Sequence, residues 1–68
     1  MPMEITVNGE SRPAPEGQTL LGLIDALGLD AARVAVEFDL KIVKRERWAN
    51  TALHPGARIE IVQFVGGG

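Results

Sequence analysis

Polar and apolar residues alternate at the start of the chain. In "EITVNGES", Ile5 and Val7 are separated by polar residues, and this period of two is typical of a strand with one buried face. Asn8-Gly9 comes next and favours a two-residue type I′ turn, because both positions of that turn need positive φ. The pattern predicts a β-hairpin whose short return strand covers residues 11–14, at a sheet edge that its prolines can occupy.

The next segment, "TLLGLIDALGL", repeats its apolar residues with a helical period. Positions i, i+3, i+4 and i+7 form one apolar face, made of Leu20, Leu23, Ile24 and Leu27. Thr19 suits the N-cap, and Gly28 suits the position after the last helical turn. A helix of about nine residues is therefore predicted, with its leucine face in the core.

The chain after the helix contains a strand, a turn and an irregular segment. Alternation in "RVAVEF" predicts a strand whose apolar face consists of Val34, Val36 and Phe38. Residues 39–41 predict a turn into a short strand at residues 42–43. The stretch "KRERWANTALHPGA" lacks a period of two, which indicates an irregular segment with one helical turn near Trp48. Trp48 and Leu53 are expected to close the end of the core.

The last apolar segment, "RIEIVQFV", predicts a strand with two different faces. Ile59, Ile61 and Gln63 are assigned to the core face, and Glu60, Val62 and Phe64 to the opposite face. Exposed apolar residues next to the end of a strand suggest a docking patch, predicted here to consist of Val62, Phe64 and Val65. A second interpretation stays open, in which the Phe64 ring folds back and packs against the edge of the core.

The order of elements is strand, strand, helix, strand, strand, strand, and the strands share one apolar face. This order predicts an α+β fold in which one helix packs across a single sheet. With 68 residues the chain has room for one core, and a hydrophobic fraction of 46% argues against disorder. No apolar run approaches the roughly 18 residues of a membrane span, and no basic or apolar leader is visible. We therefore expect a cytoplasmic protein without a membrane partner.

The side chains offer little chemistry for catalysis. Cysteine and tyrosine are absent, and the one histidine, His54, adjoins a Pro-Gly turn, where a surface position is expected. The acidic residues have no spacing suited to a metal site. The net charge is −2, and the basic cluster of Lys41, Lys44, Arg45 and Arg47 indicates a solvated loop. We predict no catalytic residue, no metal site, no bound cofactor and no nucleic-acid partner.

The most distinctive chemical group is the α-carboxylate of Gly68, on a run of three glycines. These glycines follow a strand but precede no helix, so they do not form a phosphate-binding loop. A carboxylate can attack the α-phosphate of ATP to give an acyl-adenylate. Glycines suit that chemistry, because residues without a β-carbon can extend through a narrow channel and leave the carbonyl unshielded. A linker remnant is the alternative explanation of the same three residues.

Five segments of the chain together resemble the ThiS sulfur-carrier family of thiamin thiazole biosynthesis. They are the Asn-Gly hairpin, "GQTLLGLIDALGL", "VAVEFDLKIVKRERW", "LHPGARIEIVQFV" and the terminal Gly-Gly. The resemblance implies a ubiquitin-like β-grasp domain at residues 1–65, with a mixed five-stranded sheet on one main helix and a central last strand parallel to the first. It also implies a flexible tail at residues 66–68. One departure lies at Asp39-Leu40, where relatives often carry Asn-Gly.

The resemblance further implies a function as a protein co-substrate and not as an enzyme. An E1-like enzyme consumes ATP to adenylate Gly68, a sulfur donor such as a cysteine desulfurase supplies sulfur for a thiocarboxylate, and thiazole synthase uses it. Gly66 and Gly67 provide the flexible lead. Two alternatives are the small subunit of molybdopterin synthase, and a ubiquitin-like modifier or interaction module.

Overall fold

The computed structural model describes residues 1–64 and contains one five-stranded mixed sheet. The strands are β1 (Met3–Val7), β2 (Glu10–Ala14), β3 (Val34–Phe38), β4 (Lys41–Ile42) and β5 (Arg58–Gln63), and the helix is α1 (Leu20–Ala26). The strand order is β2-β1-β5-β3-β4. Strand β5 is central, parallel to β1 and antiparallel to β3. This is the α+β β-grasp topology that the resemblance implied. The predicted boundary at residue 65 and the tail at 66–68 lie outside the described residues.

The N-terminal hairpin has the predicted two-residue turn. Val7 pairs with Glu10 across Asn8-Gly9, whose φ values are +50° and +82°. Both are positive, as a type I′ turn requires. The return strand starts one residue earlier than predicted, at Glu10, because the turn uses only two residues. It lies at the sheet edge, where Pro13 costs no pairing with a further strand.

Helix α1 has the two predicted end signals but is shorter than predicted. The Thr19 hydroxyl accepts a hydrogen bond from the Gly22 N–H at 3.1 Å. At the other end Gly28 has φ +71°, and its N–H donates to the Asp25 carbonyl at 3.0 Å. Such a left-handed glycine ends a helix and satisfies its last carbonyls. The helix therefore has 7 residues, Leu20–Ala26, and Leu27 is its C-cap.

The core lies between α1 and the sheet. Its buried members are Met3, Ile5, Val7, Ala14, Leu20, Leu23, Ile24, Val34, Val36, Trp48, Leu53, Ala57 and Ile59. Trp48 and Leu53 are buried as predicted, and the Trp48 indole N–H donates to the Val43 carbonyl at 2.8 Å, so the buried ring leaves no polar atom unpaired. Trp48 lies in a 3₁₀ helix, Arg45–Asn50, which confirms the predicted helical turn.

Three details differ from the sequence-based expectations. A 3₁₀ helix at Ala31–Arg33 was not predicted, and it forms because the Asp30 carboxylate accepts the Ala32 N–H at 2.9 Å. The second turn contains only Asp39 and Leu40, so Lys41 belongs to β4 and not to the turn. Gln63 lies on the helix-facing side of β5, opposite Val34, but it is exposed at the end of the sheet.

The helices of residues 1–64 include none that is long and apolar enough to cross a membrane.

Candidate functional site

Two exposed apolar residues lie at the carboxyl end of β5. Val62 pairs with Ala35 of β3 on the face of the sheet away from α1, and 59% of its surface is exposed. Phe64 follows β5 and is 56% exposed, while its N–H donates to the Arg33 carbonyl at 2.7 Å. The main chain of Phe64 is thus tied to the sheet while its ring faces solvent. The exposure predicted for both residues is confirmed, and the edge-core interpretation of Phe64 is wrong.

Asn8 holds the other side of β5 at the same end of the sheet. Its Oδ1 accepts the Ile61 N–H at 2.7 Å, and its Nδ2 donates to the Ile61 carbonyl at 3.2 Å. Because β1 ends at Val7, the Asn8 amide takes the place that the next peptide group of a longer β1 would occupy. The Asn8 backbone N–H also donates to the Ile59 carbonyl at 2.9 Å. Asn8 therefore continues the β1–β5 pairing beyond the end of β1.

The sequence analysis assigned Asn8 only to the turn. An asparagine amide carries both a donor and an acceptor, which is the signal that it can imitate a peptide group. Its partner Ile61 lies 53 positions away, so no local pattern could have identified this contact.

A groove of about 290 Å³ opens on the helix side of the same end of the sheet. Leu27 and Leu29 line it from the end of α1, and Arg12 lines it from β2. Gln63 of β5 also contributes. Val62 lies on the opposite face of the sheet from Gln63 because successive strand residues alternate. The groove is therefore separate from the exposed Val62 and Phe64.

His54 is exposed, as predicted, and it forms a pair with Asp39 that was not predicted. The distance from His54 Nε2 to Asp39 Oδ2 is 2.6 Å, and His54 Nδ1 lies 2.9 Å from the Pro55 carbonyl oxygen. Both acceptors lack a proton, so the ring satisfies both only when each nitrogen donates, which is the charged imidazolium. Asp39 Oδ1 accepts the Arg58 N–H at 2.9 Å. The pair therefore ties the β3–β4 turn to the start of β5.

The electrostatics of this pair follow from the same contacts. The hydrogen bond to Asp39, and then the one to Pro55, raises the pKa of His54 above its ordinary value of 6.5. The Arg58 N–H, and then the hydrogen bond from His54, lowers the pKa of the Asp39 carboxyl below 3.8. The His54 ring and the Asp39 carboxylate are both exposed to water. The ring of Phe38 contacts His54 edge-on, with centroids 5.5 Å apart, which fits a link within the fold.

The predicted site residues divide into two groups. Val62 and Phe64 lie together at the end of β5, whereas Val65, Gly66, Gly67 and Gly68 lie outside the described residues. Between Met1 and Phe64, no group of three or more histidine or carboxylate side chains could hold a metal ion. The described part of the site is a hydrogen-bonded strand end with exposed apolar surface beside it.

A central β5 parallel to β1, with one main helix packed on one face of the sheet, places the chain in the ubiquitin-like β-grasp class. The sequence profile of the ThiS family matches residues 5–68. The chain therefore belongs to the ThiS family.

Similarity to three known proteins supports this assignment. The sulfur carrier protein ThiS of Escherichia coli (strain K12) is 32% identical over 66 residues, which cover 97% of this chain and 100% of that protein. The thiamine biosynthesis protein ThiS from Geobacter metallireducens is 32% identical in sequence. Its crystal structure matches this fold with a TM-score of 0.84, over 97% of this chain and 100% of that chain. A thiazole synthase of Paramagnetospirillum magneticum is 41% identical over 66 residues. That match covers 97% of this chain, which spans only 20% of the synthase's length.

Proposed function

We propose that the chain carries sulfur for thiazole formation in thiamin biosynthesis, as a thiocarboxylate on Gly68. The observation that carries this proposal is the ThiS family match, which extends over residues 5–68 and so includes the glycine run. A second support is the sulfur carrier of Escherichia coli, which this chain matches over that protein's full length. The chain acts as a co-substrate whose reacting group is a main-chain carboxylate.

The proposed chemistry has two steps. In the first step the Gly68 carboxylate attacks the α-phosphorus of ATP on an E1-like adenylating enzyme, which forms an acyl-adenylate and releases pyrophosphate. In the second step a sulfide equivalent attacks the acyl carbon, so that a C–S bond replaces the C–O bond to AMP and AMP leaves. When a cysteine desulfurase supplies the sulfur as a persulfide, a thiol must reduce the resulting acyl disulfide to release the thiocarboxylate. ATP is bound and consumed by the partner, and the chain itself holds no cofactor.

The fold supports this chemistry by fixing the start of the tail. Hydrogen bonds from β3 and Asn8 hold β5 as far as Ile61 and Val62, and the Arg33 carbonyl holds Phe64. A reacting group at a set distance from a rigid body reaches an enzyme's active site with little loss of orientation. Gly66 and Gly67 then connect this strand end to Gly68.

The partners of this proposal dock beside the tail. Val62 and Phe64 present apolar surface there, with Val65 as the predicted third member of the docking patch. The match to a thiazole synthase, over a fifth of that protein, supports thiazole synthase as the enzyme that accepts the sulfur. The adenylating enzyme docks on the same patch in a separate step, because each enzyme needs the same terminal glycine.

The test is an intact mass measurement before and after activation. The mature protein must first show Gly68 as its last residue with a free carboxylate. Incubation with the adenylating enzyme of the same organism, ATP and a sulfur donor should then replace one oxygen by sulfur, in the last peptide only. A variant lacking Gly68 is the control, since it keeps every strand but places the carboxylate one residue too early. An unshifted parent protein, under conditions that activate the Escherichia coli carrier, would reject the proposal.

A further inference from the structure

The Asn8-Gly9 turn brings an asparagine side chain next to a backbone nitrogen that can attack it. Gly9 follows Asn8 directly, so its nitrogen can close a ring with the Asn8 side-chain carbonyl carbon. Glycine has no β-carbon to obstruct that approach, and a β-carbon built at Gly9 would meet no atom within 4 Å beyond its chain neighbours. Among the backbone hydrogen bonds of residues 1–64, none outside the strands and helices has the Gly9 N–H as donor. The attacking atom is therefore accessible.

The reaction that this arrangement permits is deamidation through a cyclic imide. The Gly9 N–H gives its proton to water or hydroxide, the nitrogen attacks the Asn8 side-chain carbonyl carbon, and the bond to the amide nitrogen breaks, so that ammonia leaves. Water then opens the imide. Opening at the side-chain carbonyl gives aspartate, whereas opening at the main-chain carbonyl gives isoaspartate, in which the main chain runs through the former side chain. Water is the only other reactant, and nothing is oxidised or reduced.

The folded domain holds the Asn8 amide away from this reaction. Its Oδ1 accepts the Ile61 N–H at 2.7 Å, and its Nδ2 donates to the Ile61 carbonyl at 3.2 Å. Ring closure requires the side chain to turn toward the Gly9 nitrogen, so both hydrogen bonds must break first. Two hydrogen bonds of ordinary net strength should slow the reaction at least about fivefold relative to the unfolded chain.

The second asparagine of the chain provides an internal comparison. Asn50 is exposed like Asn8, but the next residue is Thr51, whose β-branched side chain crowds the backbone nitrogen. The Thr51 N–H also donates to the Trp48 carbonyl at 3.3 Å. The two asparagines thus differ in the nitrogen that follows them, and Asn8 is the reactive one.

Deamidation would change the contact that holds the end of β5. In aspartate an oxygen takes the place of Nδ2, which lies 3.2 Å from the Ile61 carbonyl oxygen, so a carboxylate would face another acceptor. Glu10 and Arg12 line the groove beside Asn8, and Glu60 precedes Ile61. The sum of these three charges is negative, so they do not favour a new carboxylate. Isoaspartate also adds a main-chain atom to the turn. Both products should therefore loosen the end of β5.

We propose that Asn8 is a site of spontaneous deamidation, which the hydrogen bonds to Ile61 delay in the folded chain and which proceeds when the end of β5 opens. A chain that has opened for long enough would then carry a permanent change at Asn8, and this change would weaken the closing of β5. The inference does not depend on the proposed function. Where that function holds, a deamidated chain would present its tail from a less firmly held strand end.

The experiment incubates the wild-type chain at mildly alkaline pH, in buffer and in guanidinium chloride, and follows its proteolytic peptides by mass spectrometry. The peptide that contains Asn8 should exchange ammonia for water at least about fivefold faster in denaturant than in buffer. The peptide that contains Asn50 should change little in either. Equal rates at Asn8 in buffer and in denaturant would show that Ile61 gives no protection, and an unchanged Asn8 in denaturant would reject the site. Either result overturns the proposal.

A second measurement tests the consequence with the product itself. Asn8→Asp reproduces the aspartate form, and Asn8→Gly removes the amide without adding a carboxylate. The Phe64 N–H is the reporter, because its acceptor, the Arg33 carbonyl, is touched by neither substitution. Its hydrogen exchange should be at least about fivefold faster in Asn8→Asp than in wild type, and faster than in Asn8→Gly. Exchange in Asn8→Asp as slow as in wild type would show that deamidation does not loosen β5.

Discussion

The two β-hairpins of this small domain turn in the same way and use different residues to do it. Each has a two-residue turn with positive φ at both positions, +50° and +82° at Asn8-Gly9 and +49° and +73° at Asp39-Leu40. In each, the side chain of the first residue reaches across to the backbone of β5. Asn8 binds Ile61 near the end of β5, and Asp39 binds the N–H of Arg58 at its start.

The difference between the hairpins lies in the second turn residue and in the chemistry of the first. Glycine at position 9 adopts positive φ without strain, whereas leucine at position 40 adopts it at a cost. Asn8 uses a neutral amide, whereas Asp39 uses a carboxylate that also pairs with His54. The first hairpin thus fixes the end of β5 beside the proposed docking patch. The second hairpin, with the same backbone geometry, presents the apolar side chain of Leu40 to solvent.

The largest expected effect concerns the end of β5 that the first hairpin fixes. Phe64→Ala should weaken binding to the adenylating enzyme by about 2 kcal/mol, because a large exposed aromatic ring beside the tail is a typical interface anchor. Thermal unfolding should change little, since the ring is 56% exposed and the backbone hydrogen bond to Arg33 is retained. Titration calorimetry and a melting curve check the two parts. A large loss of stability with unchanged binding would show that the ring supports the fold.

Two substitutions of Asn8 should separate the contribution of its turn conformation from that of its hydrogen bonds to Ile61. Asn8→Ala replaces asparagine, which tolerates φ +50°, by alanine, which tolerates it less well, and deletes both hydrogen bonds to Ile61, so the free energy of unfolding should fall by about 2 kcal/mol. Asn8→Gly keeps the turn and deletes only the hydrogen bonds, at a cost of about 1 kcal/mol. Urea unfolding measures both values. If the glycine variant is as stable as wild type, the amide contacts with β5 contribute nothing and the comparison between Asn8 and Asp39 fails.

The strain at Leu40 can be reproduced in the other hairpin. Gly9→Leu should destabilise the protein by about 1 kcal/mol through backbone conformation alone, because a β-carbon at Gly9 would meet no atom within 4 Å. Gly9→Asn is the control, since asparagine accepts positive φ and should be tolerated. Urea unfolding again provides the measurement. Equal stability of the leucine variant and wild type would remove the argument that leucine is costly in this kind of turn.

The sequence predicted those features that depend on near neighbours. The helix and its caps at Thr19 and Gly28 follow from spacings of a few residues, and the exposure of Val62 follows from simple alternation. The Asn8–Ile61 and Asp39–His54 contacts join residues 53 and 15 positions apart, and only the folded sheet brings them together. The position of β5 at the centre of the sheet came from the family resemblance, because alternation assigns a face to a strand but not a neighbour.

The smallest expected effect is a pH dependence that only the second hairpin should show. The pKa of His54 is raised above 6.5, chiefly by the hydrogen bond to Asp39. A raised folded-state pKa means that the stabilisation is fully present below pH 6.5 and is lost as the pH rises through the folded-state pKa. The pKa of Asp39 is lowered below 3.8, so its contribution is lost only in strong acid and the carboxylate stays charged throughout the histidine transition.

Melting temperatures of the wild type should therefore decline slightly above pH 6.5. The effect is small because both side chains are exposed and water screens the pair. His54→Gln should abolish the decline, since His54 is the only histidine in the chain. Asn8→Gly should leave the decline unchanged, because its neutral amide has no proton to lose. NMR titration of the His54 ring gives the pKa directly, and a value at or below 6.5 would show that the contact with Asp39 does not hold the charged ring in solution.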